Sequence, residues 1–299
     1  MTLKKLEDLV DLACKKGQRK LAVAVAEDED VLIAVRDAQK AGFIDPLLIG
    51  DKDRIKTAAA KAGFNISATE LQHEPDPAKA CSIAARIIAG GKASILMKGM
   101  VSTGTLMKAF LEKELELTQG NLLSHVAIFE SPYYHKLICV TDAAMNIAPD
   151  INEKATIIKN AVKLYHALGI KMPKVAVLGA IESVNTNMEA TLHAAILKAM
   201  NQRNQITGCI IDGPLALDNA VSAEAAIHKN IHSDVAGDVD ILVTPDINSG
   251  NILYKALNFL GGAVTAAIIT GGAAPIVLTS RADSEKSKYL SIALAVVMD

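Results

Sequence analysis

The sequence predicts an α/β protein built on mostly parallel sheets. Apolar runs of strand length alternate with helical patterns along the 299 residues, and glycines end several of the helical patterns. The composition, 51% hydrophobic and 21% charged, provides enough apolar side chains for sizeable cores. Strands that alternate with helices are typical of βαβ units and therefore of parallel sheets. At about 150 residues per domain, the length favours two domains, although one large domain is allowed.

The alternation is regular before residue 100. A first helix is predicted over 3–16, where apolar residues recur at helical spacing. It is followed by strands at 21–26, 46–49 and 94–99 and by helices at 31–41, 53–62 and 77–89. Gly42, Gly63 and Gly90 stand where these later helices are expected to end.

A predicted hairpin interrupts this pattern in the middle of the chain. After a helix over 106–114, strands at 125–130 and 136–141 are separated by only five residues, so the sheet is expected to be mixed. Residues 142–149 are the predicted crossover between domains. Asp150 and Glu153 then fit a capping box for a helix that runs to Leu168.

The second half resumes the alternation. Strands are predicted at 174–180, 207–213 and 239–245, with two more within 261–278. Helices are predicted from a capping box at Thr186–Glu189 to Met200, over 218–229, over 252–262 and over 284–297. The last helix has little polar surface, so it is expected to pack against a core or a partner subunit.

Composition and absent motifs exclude several functions. The net charge of −2 and the 3% aromatic content argue against nucleic acid as a partner. No signal peptide or membrane span is expected, which predicts a cytoplasmic protein. The four cysteines form no C-x-x-C pair and are predicted to be reduced, buried thiols. G-x-G-x-x-G, the P-loop, H-E-x-x-H and G-x-S-x-G are all missing, and His228 with His232 is interpreted as a solvated surface pair.

Polar turns follow several of the predicted strands and point to an anion site. Asp246–Asn251 follows one apolar run, and Ser280-Arg281 follows another. Ligands of open parallel sheets bind beyond the carboxyl ends of the strands, where helix N-termini favour anions. Arg281 adds a forked donor suited to phosphate. These features predict a cleft for an anionic, phosphorylated substrate.

Two of these turns have a second interpretation. Ser102-Thr103-Gly104-Thr105, after Lys98, either cradles phosphate through backbone N–H groups or only caps the next helix. Ser280 either contacts an oxyanion or caps the last helix, with Asp283 as its partner three residues later. For both turns the two interpretations remain open, because a helix N-terminus serves as a cap site and as an anion site.

Five long motifs resemble one family in the same order. They are MKGMVSTGTLMKAFL (97–111), TDAAMNIAPDINEK (141–154), IDGPLALDNAVS (211–222), VAGDVDILVTPDINSGNILYKAL (235–257) and PIVLTSRADS (275–284). They are similar to the phosphate acetyl/butyryltransferase family, and two of them, DGPLALDNA and PIVLTSRADS, are closer to the butyryl branch. The resemblance implies the reaction acyl-CoA + phosphate ⇌ acyl phosphate + CoA, with butyryl-CoA preferred.

The resemblance also implies a fold, site residues and partners. The fold is expected to be like isocitrate and isopropylmalate dehydrogenases, with domains 1–145 plus 280–299 and 146–279 around an interdomain cleft. Ser280 is expected to stabilise the oxyanion and Arg281 to bind phosphate. Substrate-binding residues are expected at Ser102, Thr103, Asn248, Ser249 and Asn251. The protein is also expected to be a homo-oligomer, to use coenzyme A as a substrate and to need no metal or other cofactor.

The general base is harder to assign. In the acetyl branch it is thought to be an aspartate seven residues beyond the serine, but that position is Ser287 here. Asp283 and Glu285 are the nearby substitutes, and Asp283 is chosen.

Three alternatives stay open. One is acetyl-CoA or broader short-chain specificity. The second is an NAD- and metal-dependent decarboxylating dehydrogenase on the same fold, and the third is a non-catalytic CoA-binding module. The family is also associated with fermentative pathways.

Overall fold

The computed structural model describes residues 5–278 and 283–299. The first part of the chain forms α1 (Asp8–Lys16), β1 (Arg19–Ala24), α2 (Glu29–Lys40), β2 (Ile44–Gly50), α3 (Lys52–Lys61), β3 (Glu70–His73), α4 (Pro77–Ala89), β4 (Ile95–Lys98), α5 (Thr103–Phe110), β5 (Ser124–Glu130) and β6 (Ile138–Thr141). The rest forms α6 (Ile151–Ala167), β7 (Lys174–Leu178), α7 (Glu189–Gln202), β8 (Ile210–Leu215), α8 (Leu217–Val221), α9 (Ala223–His228), β9 (Ile241–Val243), α10 (Ile247–Phe259), β10 (Val264–Thr270), β11 (Ile276–Val277) and α11 (Glu285–Met298).

Two compact units divide the chain. Unit 1 comprises Met1–Leu6 and Ser124–Thr265, and unit 2 comprises Glu7–Leu123 and Ala266–Asp299. These bounds differ from the domains 1–145 plus 280–299 and 146–279, which stay a prediction. The predicted α/β class with mostly parallel strands is confirmed in each unit.

The strand order of unit 2 is β3-β2-β1-β4-β11-β10. Its pairs are parallel, with Leu21 opposite Ile95 and Val277 opposite Met97, except that β10 and β11 run antiparallel. The side chains of β1 and β4 are mostly buried because helices cover both faces of such a sheet. The predicted split of 261–278 into two strands is confirmed.

Unit 1 is built on the strand order β5-β6-β9-β7-β8. The β5–β6 pair is antiparallel, which confirms the predicted hairpin, and the pairs β6–β9, β7–β9 and β7–β8 are parallel. The carboxyl ends of the four strands β6, β9, β7 and β8 therefore share one edge of this unit.

The helix starts follow the sequence in part. The capping box of Asp150 and Glu153 is present at α6. The one predicted at Thr186 is wrong, because α7 begins at Glu189 after Met188, without a side-chain cap. The helix predicted over 218–229 is two helices, since Ser222 is extended and caps α9. The strand β3 was not predicted because its side chains are largely exposed and form no apolar run.

Charged side chains gather at the amino ends of the parallel strands of unit 1. Lys136 and Lys174 contact Asp238 with N–O distances of 2.9 and 2.7 Å, and Lys136 also contacts Asp240 at 2.8 Å. His135 lies 2.9 Å from the same Asp238 carboxylate. Burial opposes ionisation of Asp238, but the hydrogen bonds from Lys174, Lys136 and His135 outweigh it and hold the pKa of this carboxyl below its usual range.

Asp238→Asn is expected to lower the free energy of unfolding at pH 7 by at most about 1 kcal/mol, since the carboxylate is partly exposed to solvent. Because the pKa of Asp238 is lower in the folded chain, its contribution is present above the unfolded pKa of about 3.9 and is lost as pH falls through the folded value. Urea unfolding at pH 7 and pH 3 measures the loss. Asp234→Asn, an exposed carboxyl nearby, is the control. An equal difference at both pH values would contradict the prediction.

None of the helices in the described residues combines the length and the apolar character needed to cross a bilayer.

Candidate active site

The Asp246–Asn251 turn opens α10 at the carboxyl end of β9. Asp246 accepts a hydrogen bond from the Ser249 backbone N–H at 2.9 Å, and the Ser249 hydroxyl completes a capping box. The Asn251 amide donates to the Ala143 carbonyl at 3.1 Å. Of the three predicted binding residues here, Ser249 and Asn251 therefore hold the turn together, and Asn248 is exposed at its tip.

Asp142 organises the neighbouring loop, after β6. Its buried carboxylate accepts hydrogen bonds from the backbone N–H groups of His125, Ala144 and Met145 at 2.8–3.2 Å, and from the Asn146 amide at 2.6 Å. Hydrogen bonds from these four donors hold the carboxylate in one orientation. The loop is thereby fixed next to the start of α10.

The α10 start and the Asp142 loop touch through Gly250 and Thr244. A Cβ on Gly250 would overlap the Asp142 carbonyl oxygen and would lie 2.8 Å from the Thr244 hydroxyl. The Thr244 hydroxyl in turn donates to the Asp142 carbonyl at 3.2 Å. Sequence reasoning interpreted 142–149 only as a crossover and missed this contact. Asp142 followed by Asn146, four residues later, was the sequence pattern that could have indicated a structured loop here.

In unit 2, a second helix start lies at the end of β4. Ser102 accepts a hydrogen bond from the Thr105 N–H at 3.1 Å, so it is the N-cap of α5 and the capping interpretation is confirmed. Thr103 is the first helical residue. Beneath them, buried Lys98 donates to the carbonyls of Gly99 and Val101, both at 3.3 Å. The first-turn N–H groups of a helix are the donors that bind anions, and Ser102 takes one of them.

The remaining predicted residues belong to the segment between β11 and α11. Ser280 and Arg281 lie outside the described residues. Asp283 is described and half-buried. The predicted pairing of a Ser280 cap with Asp283 is wrong, because the N-cap of α11 is Ser284, whose hydroxyl accepts from the Ser287 N–H at 3.1 Å. Ser287 stands at the position of the acetyl-branch aspartate, and its backbone N–H is thus the donor in the N-terminal cap of α11.

Three of the cysteines are buried free thiols, and the fourth, Cys14, is exposed. Burial raises the pKa of Cys81 and of Cys209 to about 11, and also raises that of Cys139. A raised pKa keeps a thiol protonated and weakly nucleophilic at neutral pH. The prediction of buried thiols is therefore wrong only for Cys14.

Within the described ranges, no group of three or more His, Cys, Asp or Glu side chains is placed to hold a metal ion. Buried Lys154 and half-buried His193 form a pair, with the Lys154 Nζ 2.9 Å from the His193 Nδ1. Burial lowers the pKa of both groups. Neither residue was singled out in the sequence, since a lysine in a first helical turn gives no distinctive signal.

Fold and site together define the class of protein: an α/β protein whose helix N-termini, at the carboxyl ends of parallel strands, are suited to an anionic substrate. Residues 67–296 match the family model described as phosphate acetyl/butaryl transferase, and the chain belongs to this family. The predicted activity, phosphate acyltransfer, is confirmed.

Relatives named for both acyl groups match almost the whole chain. The phosphate butyryltransferase of Clostridium acetobutylicum is 45% identical over 99% of this chain and 98% of its own. The phosphate acetyltransferase of Thermotoga maritima is 44% identical over 98% and 99%. The crystal structure of a branched-chain phosphotransacylase from Enterococcus faecalis V583 is similar with a TM-score of 0.82 and 34% identity, over 94% of this chain and 98% of that one.

Proposed function

We propose that this acyltransferase catalyses butyryl-CoA + phosphate ⇌ butyryl phosphate + CoA. The observation that supports it most is the near full-length identity of 45% to a phosphate butyryltransferase, together with the butyryl-branch motifs DGPLALDNA and PIVLTSRADS. Acetyl-CoA stays the alternative substrate, since a phosphate acetyltransferase is 44% identical. The family match favours either acyl reaction over the dehydrogenase alternative.

In the proposed forward step, a phosphate oxygen attacks the thioester carbonyl carbon. The carbonyl oxygen becomes an oxyanion, the C–S bond then breaks, and the CoA thiolate leaves and takes up a proton. The Ser280 hydroxyl stabilises the oxyanion, a contribution worth roughly 3–4 kcal/mol in other enzymes. Arg281 binds the attacking phosphate through its forked donors.

In the reverse direction, the CoA thiol must lose its proton, because a free thiol has a pKa of about 8.5. We assign this task to Asp283. The residue directly precedes the Ser284 N-cap and so lies just before α11, within two residues of Arg281 in sequence. Glu285, the first residue of that helix, is the substitute.

Substrate contacts are proposed at the two helix starts. The N–H groups at Thr103 and the exposed Ser102 hydroxyl are proposed to bind an anionic group. Exposed Asn248 is proposed to contact substrate directly, whereas Ser249 and Asn251 contribute by holding the turn. Coenzyme A enters as a substrate, and no metal or other cofactor is proposed.

The proposal extends to the assembly, the arrangement of the units and the location. Side chains on and just after α10 expose large apolar surface, with Ile252 68%, Phe259 65% and Leu260 88% exposed. Exposed apolar patches of this kind mark interaction sites, and we propose a homo-oligomer. Its mass is measurable by light scattering, and a monomeric mass would contradict it. We also retain the isocitrate/isopropylmalate dehydrogenase-like arrangement and a cytoplasmic location as proposals.

The testing experiment follows phosphate-dependent release of free CoA thiol, with butyryl-CoA and acetyl-CoA compared at equal concentrations. Release that requires phosphate and has the higher kcat/KM with butyryl-CoA is the expected result. A higher kcat/KM with acetyl-CoA would keep the reaction and change the substrate. The absence of release with either thioester would contradict the proposal and would direct attention to NAD and metal binding.

A further inference from the structure

Ile147 is an exposed apolar residue in the Asp142 loop, defined here as residues 142–149. It is 74% exposed. A single exposed apolar side chain is common on protein surfaces, so exposure alone indicates no function. Ile147 is distinguished by the way its loop is held and by the residues that lie next to it.

The main chain is held on both sides of Ile147. Before it, the Asn146 amide donates to the Asp142 carboxylate at 2.6 Å. After it, Asp150 caps α6 by accepting hydrogen bonds from N–H groups of the first helical turn. The Ile147 carbonyl itself accepts a hydrogen bond from the Ile247 N–H at 3.0 Å. The apolar side chain is therefore presented to solvent from a main chain that is fixed by hydrogen bonds.

The hydrogen bond to Ile247 places Ile147 beside the start of α10. Ile247 is the first residue of that helix, and the next residue is Asn248, whose exposed side chain is proposed to contact substrate. Cα atoms of neighbouring residues are about 3.8 Å apart, so Ile147 is bonded to the main chain directly next to the proposed polar contact. All of these residues belong to unit 1.

An exposed apolar side chain next to an exposed amide suits a ligand that has both kinds of group. Binding sites generally combine apolar side chains with a few placed polar groups. The acyl substrates of the proposed function have this character, because an apolar chain is attached to a polar carbonyl. Acetyl and butyryl groups differ by two methylene groups of that chain. Each methylene group transferred from water to an apolar contact favours binding by about fourfold, which corresponds to about 0.8 kcal/mol.

We propose that Ile147 contacts the acyl chain of the substrate and contributes to a preference for butyryl over acetyl groups. Its side chain covers methylene groups that the acetyl group lacks, so the contact favours the longer acyl group only. Ile147 takes no part in the bond changes and acts as a specificity-determining residue. This inference rests on the proposed function, since it takes the acyl substrate and the role of Asn248 from there.

The test measures the ratio of kcat/KM for butyryl-CoA to kcat/KM for acetyl-CoA in wild type, Ile147→Ala, Ile147→Val and Ile147→Thr. Ile147→Ala is expected to lower this ratio by about threefold or more, while kcat/KM for acetyl-CoA changes by less than about 1.5-fold. Valine and threonine are both β-branched and differ in polarity, so Ile147→Thr is expected to have the lower ratio of the two. Ile227→Ala, which truncates a 75% exposed isoleucine of α9, is the matched control and should keep the wild-type ratio.

Equilibrium binding gives a second readout, which does not depend on turnover. In calorimetric titrations without phosphate, wild type is expected to bind butyryl-CoA more tightly than acetyl-CoA, and Ile147→Ala is expected to reduce this difference by about threefold or more. Wild-type enzyme without phosphate-dependent CoA release from either thioester would contradict the proposed function. The titrations would still decide whether Ile147 contacts the acyl chain.

Three results would overturn the inference. One is a folded Ile147→Ala variant with the wild-type kcat/KM ratio and the wild-type difference in binding. The second is an equal loss of kcat/KM for both thioesters, which would place Ile147 against a part of acyl-CoA that the two share. The third is a fall in the mass of the assembly by light scattering, which would place Ile147 in a contact between copies of the chain. If Ile147→Ala does not fold, equal ratios in Ile147→Val and Ile147→Thr would also overturn it.

Discussion

Arg281→Ala is expected to lower kcat by about 100-fold or more and to raise the KM for phosphate, since in the proposed function Arg281 supplies a charged, forked donor to the phosphoryl group. The KM for acyl-CoA should change little, because the role proposed for the guanidinium is to bind phosphate and not the thioester. A rise in the phosphate KM with a fall in kcat means that interactions in both the ground state and the transition state have been lost. Steady-state kinetics with phosphate and butyryl-CoA varied in turn measures both effects.

Two further variants make the Arg281 result specific. Arg281→Lys keeps the charge but loses the fork, so an intermediate effect is expected. Arg203→Ala removes an exposed arginine after α7 and should behave as wild type. Turnover of Arg281→Ala within a factor of two of wild type would exclude the assigned role and favour the non-catalytic CoA-binding alternative.

Gly250→Ala is the second change with a large expected effect. The added Cβ would overlap the Asp142 carbonyl oxygen, so the first turn of α10 and the Asp142 loop must separate. Overpacking of this kind costs up to about 3 kcal/mol. The separation is also expected to strain the hydrogen bond from the Asn251 amide to the Ala143 carbonyl and to displace Asn248. Enzyme activity should therefore fall together with stability.

Urea unfolding and the CoA-release assay together test the glycine prediction. Gly104→Ala is the stability control, because it places the same methyl group in the first turn of another helix, where the nearest neighbour is a Ser102 hydroxyl 3.9 Å away. A folded Gly250→Ala variant with wild-type stability would show that the loop can move aside, and the proposed close packing would then be wrong.

The sequence predicted the α/β class because the spacing of the apolar residues and the positions of the glycines and prolines agree over most of the chain. The helix Pro77–Ala89 was predicted to the residue, since a proline begins it and Gly90 follows it. Predictions failed where tertiary contacts decide. Strand β3 is held by pairing with β2 and has no apolar signal of its own. The α7 start lacks the hydroxyl cap that its Thr-x-x-Glu pattern suggested.

The sequence predicted where the candidate site lies better than it predicted what the side chains there do. The helix starts at Ser102 and Asp246 lie at strand ends as expected, because parallel strands end at one edge. The hydroxyls of Ser102 and Ser249, however, are used to cap helices, and hydrogen-bond partners of that kind depend on rotamers that sequence does not specify.

The discontinuity of unit 2 has a consequence for synthesis on the ribosome. Its sheet receives β11 from the last part of the chain, and this strand pairs with β4, with Ile276 opposite Leu96. After residues 7–123 have been synthesised, more than 150 further residues must be added before β11 is available to pair with β4. An unpaired apolar strand edge promotes aggregation. Unit 1, whose sheet is contained in 124–265, can complete its sheet earlier. Until β11 emerges, the edge of β4 that faces it thus stays unpaired.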